Sequence, residues 1–290
     1  MNTDSFENLV SAIVITHNRV ERLERAINSV LAQTYANIEL IIVNDGSKDG
    51  TKEYLDVLAA KTPNIKVIHH ELAKGACAAR NTGIGSASGH YIAGLDDDDE
   101  WMPERIEKMK ALYSKEHSFV YASDNIITDG NLTSLIRRGS ADLDSILSGN
   151  IVGNQIFTET YKLRSVGGFD VNMPAAQDWD VWIRLILEYG RAFACDAILQ
   201  NIYQEGDDRI TTSSKKVTGY WALYKKYKLI MSRRNRTAQL TQLYVAKNKK
   251  MSFKTAKIML LNLAGFRVFK GVINSLFPKQ FAQLKYLARR

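Results

Sequence analysis

The sequence predicts an α/β fold: a Rossmann-like, mostly parallel sheet flanked by helices, with a basic helical extension at the C-terminus. Three observations predict it. Short β-branched runs alternate with segments of helical apolar spacing through the first hundred residues. Three of those runs stop at polar clusters, at 16–18, 44–46 and 96–99. The charge is divided as well, since residues 215–290 hold 19 Lys and Arg and no Asp or Glu. The 290-residue chain has a net charge of +8, which hides a body of net −11 and a tail of +19.

The elements follow in order. Residues 11–16 (SAIVIT) are a buried strand, and 21–33 place Leu23, Ala26, Ile27, Val30 and Leu31 at helical spacing. Residues 38–43 form a second strand, ended by the turn-forming Asn44, Asp45, Gly46 and Ser47. A helix beginning near Thr51 puts Tyr54, Leu55 and Leu58 on one face. Strands at 65–68 and 91–95 bracket a small-residue helix at 75–87. Further on, 119–122 reads as a strand, 167–170 as a turn, 177–189 as a helix and 203–214 as a polar loop. In such sheets ligands bind beyond the carboxyl ends of the strands, so the three polar clusters converge on one crevice.

Composition excludes several classes. A hydrophobic share of 45% with 9% aromatics excludes wholesale disorder. Cys77 and Cys195 cannot supply a disulfide framework, which fits a reducing compartment. Residues 1–9 are polar and acidic and carry no secretory signal, and no apolar run approaches the ~20 residues of a spanning helix. The five histidines lack metal-ligand spacing.

Within the crevice, residues 96–100 (DDDDE) crowd five carboxylates, an arrangement that needs a neutralising partner such as a hard divalent cation. The plainer reading is a solvated acidic loop, less apt directly after a hydrophobic strand and before Trp101. Asp45 is a turn residue on its own; with the other clusters it is placed to accept hydrogen bonds from a nucleobase or ribose. Arg80 either reaches a phosphate or forms a surface ion pair. Asp178 is either a first-turn residue favoured by the helix dipole or a general base near Trp179.

Six segments in this order resemble the inverting family 2 glycosyltransferases, whose catalytic domain has the GT-A fold: SAIVITHN at 11–18, IIVNDGSKDGT at 41–51, GACAARNTG at 75–83, YIAGLDDDDEW at 91–101, GGFD at 167–170 and QDWDVWIR at 177–184. The resemblance covers roughly residues 9–214. It implies a catalytic domain over 1–214, with a nucleotide-binding part at about 9–101 and an acceptor part at about 102–214. It implies that Thr16, Asn18 and Asp45 line the base and ribose pocket of a UDP-sugar and that Arg80 stands near the nucleotide. Asp96 and Asp98 match the D-x-D acids, with Asp96 and Asp97 facing the nucleotide-sugar and Asp98 binding Mn2+ or Mg2+. Asp178 matches the general base. Asn44 and Gln177 replace acids usual in the family, and Gln204-Glu205 stand where a histidine is frequent. Arg209 is assigned to the diphosphate.

The tail adds a second expectation. Residues 257–277 interleave Ile258, Leu261, Phe266, Phe269, Val272, Ile273 and Leu276 with Lys257, Arg267 and Lys270. A cationic amphipathic helix of this kind suits the surface of an anionic bilayer. The alternative is packing on the body or on a second copy of the chain, as a homodimer. A cytoplasmic enzyme held at the inner face of a bacterial membrane follows, with a lipid-linked sugar acceptor in O-antigen or capsule assembly and no nucleic-acid partner. The rival readings are an inactive body whose tail binds lipid or nucleic acid, and a nucleotidyltransferase. The latter lacks a Gly-rich triphosphate loop after the first strand, where Thr16, His17, Asn18 and Arg19 stand.

Overall fold

The computed structural model describes residues 7–204 and 214–247. β1 (Val10–Thr16), α1 (Val20–Leu31), β2 (Ile38–Asn44), α2 (Thr51–Lys61), β3 (Ile65–His69), α3 (Ala76–Ser86) and β4 (Tyr91–Asp96) realise the predicted alternation within a residue or two at each boundary. The remaining elements are β5 (Glu100–Trp101), α4 (Arg105–Leu112), β6 (Val120–Thr128), β7 (Asn131–Leu135), β8 (Ser140–Ala141), α5 (Leu143–Ser148), β9 (Phe157–Glu159), α6 (Thr160–Ser165), α7 (Gln177–Tyr189), β10 (Ala192–Tyr203), α8 (Ser214–Tyr227) and α9 (Arg233–Ala246).

Among the described residues the strands form one sheet in the order β3-β2-β1-β4-β9-β6-β10-β5, with β7 beside β6 and β8 beside β10. The β3-β2-β1-β4 half is parallel, as its crossover helices require. The other half is mixed. β9 runs antiparallel to both β4 and β6, while β10 lies parallel to β6. Val10, Ala12 and Val14 of β1 and Leu40 and Ile42 of β2 pack under Leu23, Ala26, Ile27 and Val30 of α1, all nearly fully buried. These strands are apolar on both faces because helices cover both.

The chain divides into two compact units. The first comprises Met1–Leu143, Ile151–Val171 and Asp178–Asp207. The second comprises Asp144–Asn150, Asn172–Gln177 and Asp208–Arg290. Within the second unit α9 begins at a capping box, in which Ser232 Oγ accepts from the Asn235 N–H and Asn235 Oδ1 accepts from the Ser232 N–H. Asn235 Nδ2 also donates to the Asp144 carbonyl, Gln239 Nε2 to the Leu147 carbonyl and Gln242 Nε2 to the Ser148 carbonyl, at 2.9, 2.9 and 2.7 Å. The two glutamine bonds satisfy the Leu147 and Ser148 carbonyls at the end of the short helix α5, and Asn235 joins Ser148 Oγ on the Asp144 carbonyl. Among the described residues no helix is long and apolar enough to cross a membrane. Arg209 and the 257–277 segment lie outside the described residues.

Candidate active site

The register puts Thr16 beside Asn44, and Ile15 beside Asp96, so the ends of β2, β1 and β4 stand level. Three side-chain groups are built along that edge.

The first surrounds Asp45, which is 5% exposed. Oδ1 accepts from His70 Nδ1 at 2.7 Å and from the Lys74 N–H at 2.8 Å, and Oδ2 accepts from the Gly75 N–H at 2.8 Å. Burial works to raise this carboxyl's pKa, but the hydrogen bonds from Lys74, His70 and Gly75 win and hold it below the ordinary value. Because a carboxylate only accepts, His70 donates from Nδ1, and its Nε2 is hydrogen-bonded to Thr82 Oγ1 at 3.0 Å. Gly46 permits this close approach. Its φ is +69°, and a Cβ there would lie 2.6 Å from the Ala73 nitrogen. Asn18, at φ +54°, stitches the neighbouring loops: its N–H donates to Ser47 Oγ and its Oδ1 accepts from the Lys48 N–H. Thr16 is buried at the end of β1.

The second group joins Asp96, Arg80 and Asp178. Arg80 donates to Asp96 Oδ1 at 2.7 Å, and Asn154 Nδ2 donates to Asp96 Oδ2 at 2.8 Å. Arg80 also lies 5.2 Å from the Phe169 ring centre and borders a cavity walled by Ile13, Ile84, Ile92 and Trp182. Burial lowers the pKa of its guanidinium, yet Asp96 and then Asp178 outweigh that and raise it. Burial raises the pKa of Asp178; its helix-start N–H groups and Arg80 oppose the rise, and Asp96 adds to it. A carboxylate so placed is a stronger base than one in water.

The third group is the rest of the acidic run. Arg19 Nη1 bridges Asp97 Oδ1 and Asp98 Oδ2, both at 2.9 Å, and Arg25 donates to the Asp98 carbonyl at 2.6 Å. Burial raises Asp97 to about 6 although Arg19 pulls it down. Burial and the repulsion of Asp96 raise Asp98. Asp99, 3% exposed, accepts from Gln200 Nε2 and from the Tyr203 N–H. Burial and then Asp96 and Asp98 raise it well above the ordinary value. The run is therefore a partly compensated cluster rather than a solvated loop. Among the described residues no three His, Cys, Asp or Glu side chains form a ready metal cage.

The remaining segments hold these groups in shape. Asn81 of the 75–83 segment donates to the Phe169 carbonyl at 2.8 Å and accepts from its N–H at 2.7 Å. Arg184 of the 177–184 segment donates to the Gly168 carbonyl at 2.6 Å and pairs with Asp180 at 2.9 Å. Trp182 Nε1 donates to the Gly153 carbonyl at 3.0 Å, next to Asn154.

Sequence reasoning did not single out Arg19, His70, Asn154 or Gln200 as site residues. His70 directly follows β3, a strand-end position that could have revealed it. The pairing of Arg19 with acids 78 and 79 residues away left no local signal.

Comparison with known proteins agrees with this architecture. A profile described as glycosyl transferase family 2 matches residues 11–143. The Escherichia coli K12 colanic acid biosynthesis glycosyl transferase WcaA is 36% identical over 273 residues, covering 91% of this chain and 97% of the relative. The E. coli UDP-Glc:alpha-D-GlcNAc-diphosphoundecaprenol beta-1,3-glucosyltransferase WfgD is 40% identical over 125 residues, which are 43% of this chain and 49% of the relative. The crystal structure of Staphylococcus aureus TarS 1–349 superposes with a TM-score of 0.66 at 15% identity, covering 93% of this chain and 81% of that one. The same TarS segment in complex with UDP-GlcNAc superposes at 0.63 with 15% identity, covering 92% and 89%. The Pyrobaculum calidifontis mannosyltransferase PcManGT in complex with GDP-Man and Mn2+ gives 0.56 at 14% identity, covering 93% and 87%. The likeness to these structures gives the fold, GT-A, and the near full-length relative gives the family: the chain belongs to glycosyl transferase family 2.

Proposed function

We propose that this glycosyltransferase moves a hexose from a UDP-sugar to a hydroxyl of an acceptor sugar carried on a polyprenyl diphosphate, with inversion, during surface-polysaccharide assembly. The observation that carries the reading is the grouping of Asp178, Arg80 and Asp96 at the carboxyl edge of the sheet. Three of the similar proteins support its details: WcaA by its pathway, WfgD by its UDP-glucose donor and diphosphoundecaprenol acceptor, and TarS by its bound UDP-GlcNAc.

In this mechanism Asp178 takes the proton of the acceptor hydroxyl as its oxygen attacks the anomeric carbon. The diphosphate departs from the opposite face, so an α-linked donor gives a β-linked product. Arg80, held by Asp96, supplies positive charge beside the nucleotide. Asp45, kept ionised by its donors, and Thr16 and Asn18 form the nucleoside side of the crevice; Arg209 is assigned to the diphosphate. The acidic run suits a hard divalent cation, because its oxygen donors carry more negative charge than Arg19 and Arg80 cancel. Among the described residues no three His, Cys, Asp or Glu side chains form a cage, and the donors that the run offers are carboxylate oxygens, the kind such a cation takes. Asp98, with Asp96 and Asp97 beside it, would hold Mn2+ or Mg2+, whose chemistry is to stabilise charge on a leaving diphosphate. Residues 215–290 hold the enzyme peripherally at the cytoplasmic face of an anionic membrane, near a lipid-linked acceptor.

The test is transfer from a panel of UDP-sugars to synthetic polyprenyl-diphosphate sugars, with the product linkage read by NMR. A β-linked product from an α-linked donor is expected, and a retained configuration refutes the mechanism. Asp178→Asn should keep donor binding and lose about 10²–10⁴-fold in turnover. Full activity in that variant removes Asp178 from the base role.

A further inference from the structure

The second unit presents an edge that the transfer reaction does not use. On α8, Trp221 and Lys225 stand at i and i+4, on one face of the helix, and Lys228, Leu229 and Ile230 form the turn that follows it. Trp221 is 43% exposed, Leu229 85% and Ile230 49%, while Leu223, Tyr227 and Met231 are buried. The Trp221 ring stacks on Tyr224 with centres 5.4 Å apart, and the Lys225 ammonium lies 5.5 Å from the Trp221 ring. The apolar tips are therefore held outward, among cations.

Residues 221–236 contain Lys225, Lys226, Lys228, Arg233, Arg234 and Arg236 and no acid. The three arginines occupy the first turns of α9, where the helix dipole disfavours cations. That placement costs the free protein stability and is relieved when anions lie against it.

We propose that this edge is a membrane-docking surface. Trp221, Leu229 and Ile230 enter the boundary between headgroups and acyl chains of an anionic bilayer, and Lys225, Lys228, Arg233 and Arg234 face the lipid phosphates. The proposal rests on the peripheral-membrane reading above and narrows it from residues 215–290 to 221–236. The aliphatic tips favour lipid over nucleic acid. Bases stack on aromatic rings and would leave Leu229 and Ile230 without a role.

The experiment is vesicle sedimentation of the full chain with phosphatidylcholine vesicles containing or lacking phosphatidylglycerol. Leu229→Ser/Ile230→Ser should lower binding to the anionic vesicles at least tenfold. Arg233→Gln/Arg234→Gln should lower it by about fivefold per charge removed, and more steeply as salt is reduced. Trp221→Ala, another exposed position, gives an independent third variant. Melting temperature and transfer to a water-soluble acceptor should be unchanged in all three. If the wild-type chain binds anionic vesicles and the variants bind equally well, the edge is wrong while the membrane reading of 215–290 stands. If the wild-type chain does not bind anionic vesicles, both fall. Equal binding to phosphatidylcholine vesicles overturns the pairing of the cations with a net anionic headgroup layer.

Discussion

Replacing Lys162 by methionine should cost the fold about 3–5 kcal/mol without touching the crevice. Lys162 is fully buried at the start of α6. Its ammonium donates to Tyr113 Oη at 2.8 Å and to the carbonyls of Lys115 and His117 at 2.9 and 2.8 Å, and it pairs with Glu159 at 3.2 Å. Glu159 is 2% exposed and also accepts from Tyr113 and bonds to His90. Methionine fills the volume but takes from the buried Glu159 carboxylate its lysine partner, leaving it Tyr113 and His90, and removes the donor to two carbonyls; the weakened compensation of the buried charge dominates the loss. For a chain of this size the loss corresponds to a fall of roughly 10 °C in melting temperature. The double variant Lys162→Met/Glu159→Gln removes both charges and should recover more than half of the loss, as a pair in direct contact must. Glu159 stands opposite Tyr91 at the start of β4, whereas the acids lie at its far end, about 16 Å along the strand at the usual rise. Turnover measured well below the melting point should therefore stay near wild type. Thermal melts followed by circular dichroism decide the matter. A single variant within 1 kcal/mol of wild type, or a double variant no better than the single, refutes the reasoning.

His70→Leu deletes the side-chain donor to Asp45 and should cost about 1.5–3 kcal/mol in stability. It should also raise KM for the UDP-sugar while kcat changes little, as steady-state kinetics will show; an unchanged KM separates Asp45 from the nucleoside. Acid should destabilise the protein through Asp45 and Glu159, whose pKa values in the fold lie below the ordinary 3.8 and 4.5. A depressed carboxyl contributes its full stability above the ordinary pKa and loses it as pH falls through the folded value. Urea titrations from pH 6 downward should show the midpoint dropping below about pH 4, and Glu159→Gln should flatten that limb.

The β3-β2-β1-β4 half of the fold was legible because its information is local. Val10–Thr16 and Ile38–Asn44 are apolar on both faces, Leu23 to Val30 repeat at helical spacing, and the acids stop β4 abruptly. The second half was less legible. Phe157–Glu159 is a three-residue strand whose place between β4 and β6 depends on partners about 40 and 65 residues away, so no periodicity reveals it. The long strand Ala192–Tyr203 carries register shifts near Cys195 and Ile198 that blur its alternation. In the site, residue types at strand ends announced Asp45, Asp96 and Asp98. Their satisfaction by His70, Asn154 and Arg19 did not show, because each bond joins loops that meet only after the sheet has formed.

The bonds from Asn235, Gln239 and Gln242 to the 144–148 segment span 91 to 94 residues of chain. Synthesis runs from the N-terminus at about 5–20 residues per second, so this segment emerges roughly 5–20 s before its partners exist. Through that interval the Leu147 and Ser148 carbonyls lack their glutamine donors, and the Asp144 carbonyl keeps only its local bond from Ser148 Oγ. The second unit is therefore completed late, by the arrival of α9, and a nascent chain stalled before residue 235 would display an unfinished unit to chaperones and proteases.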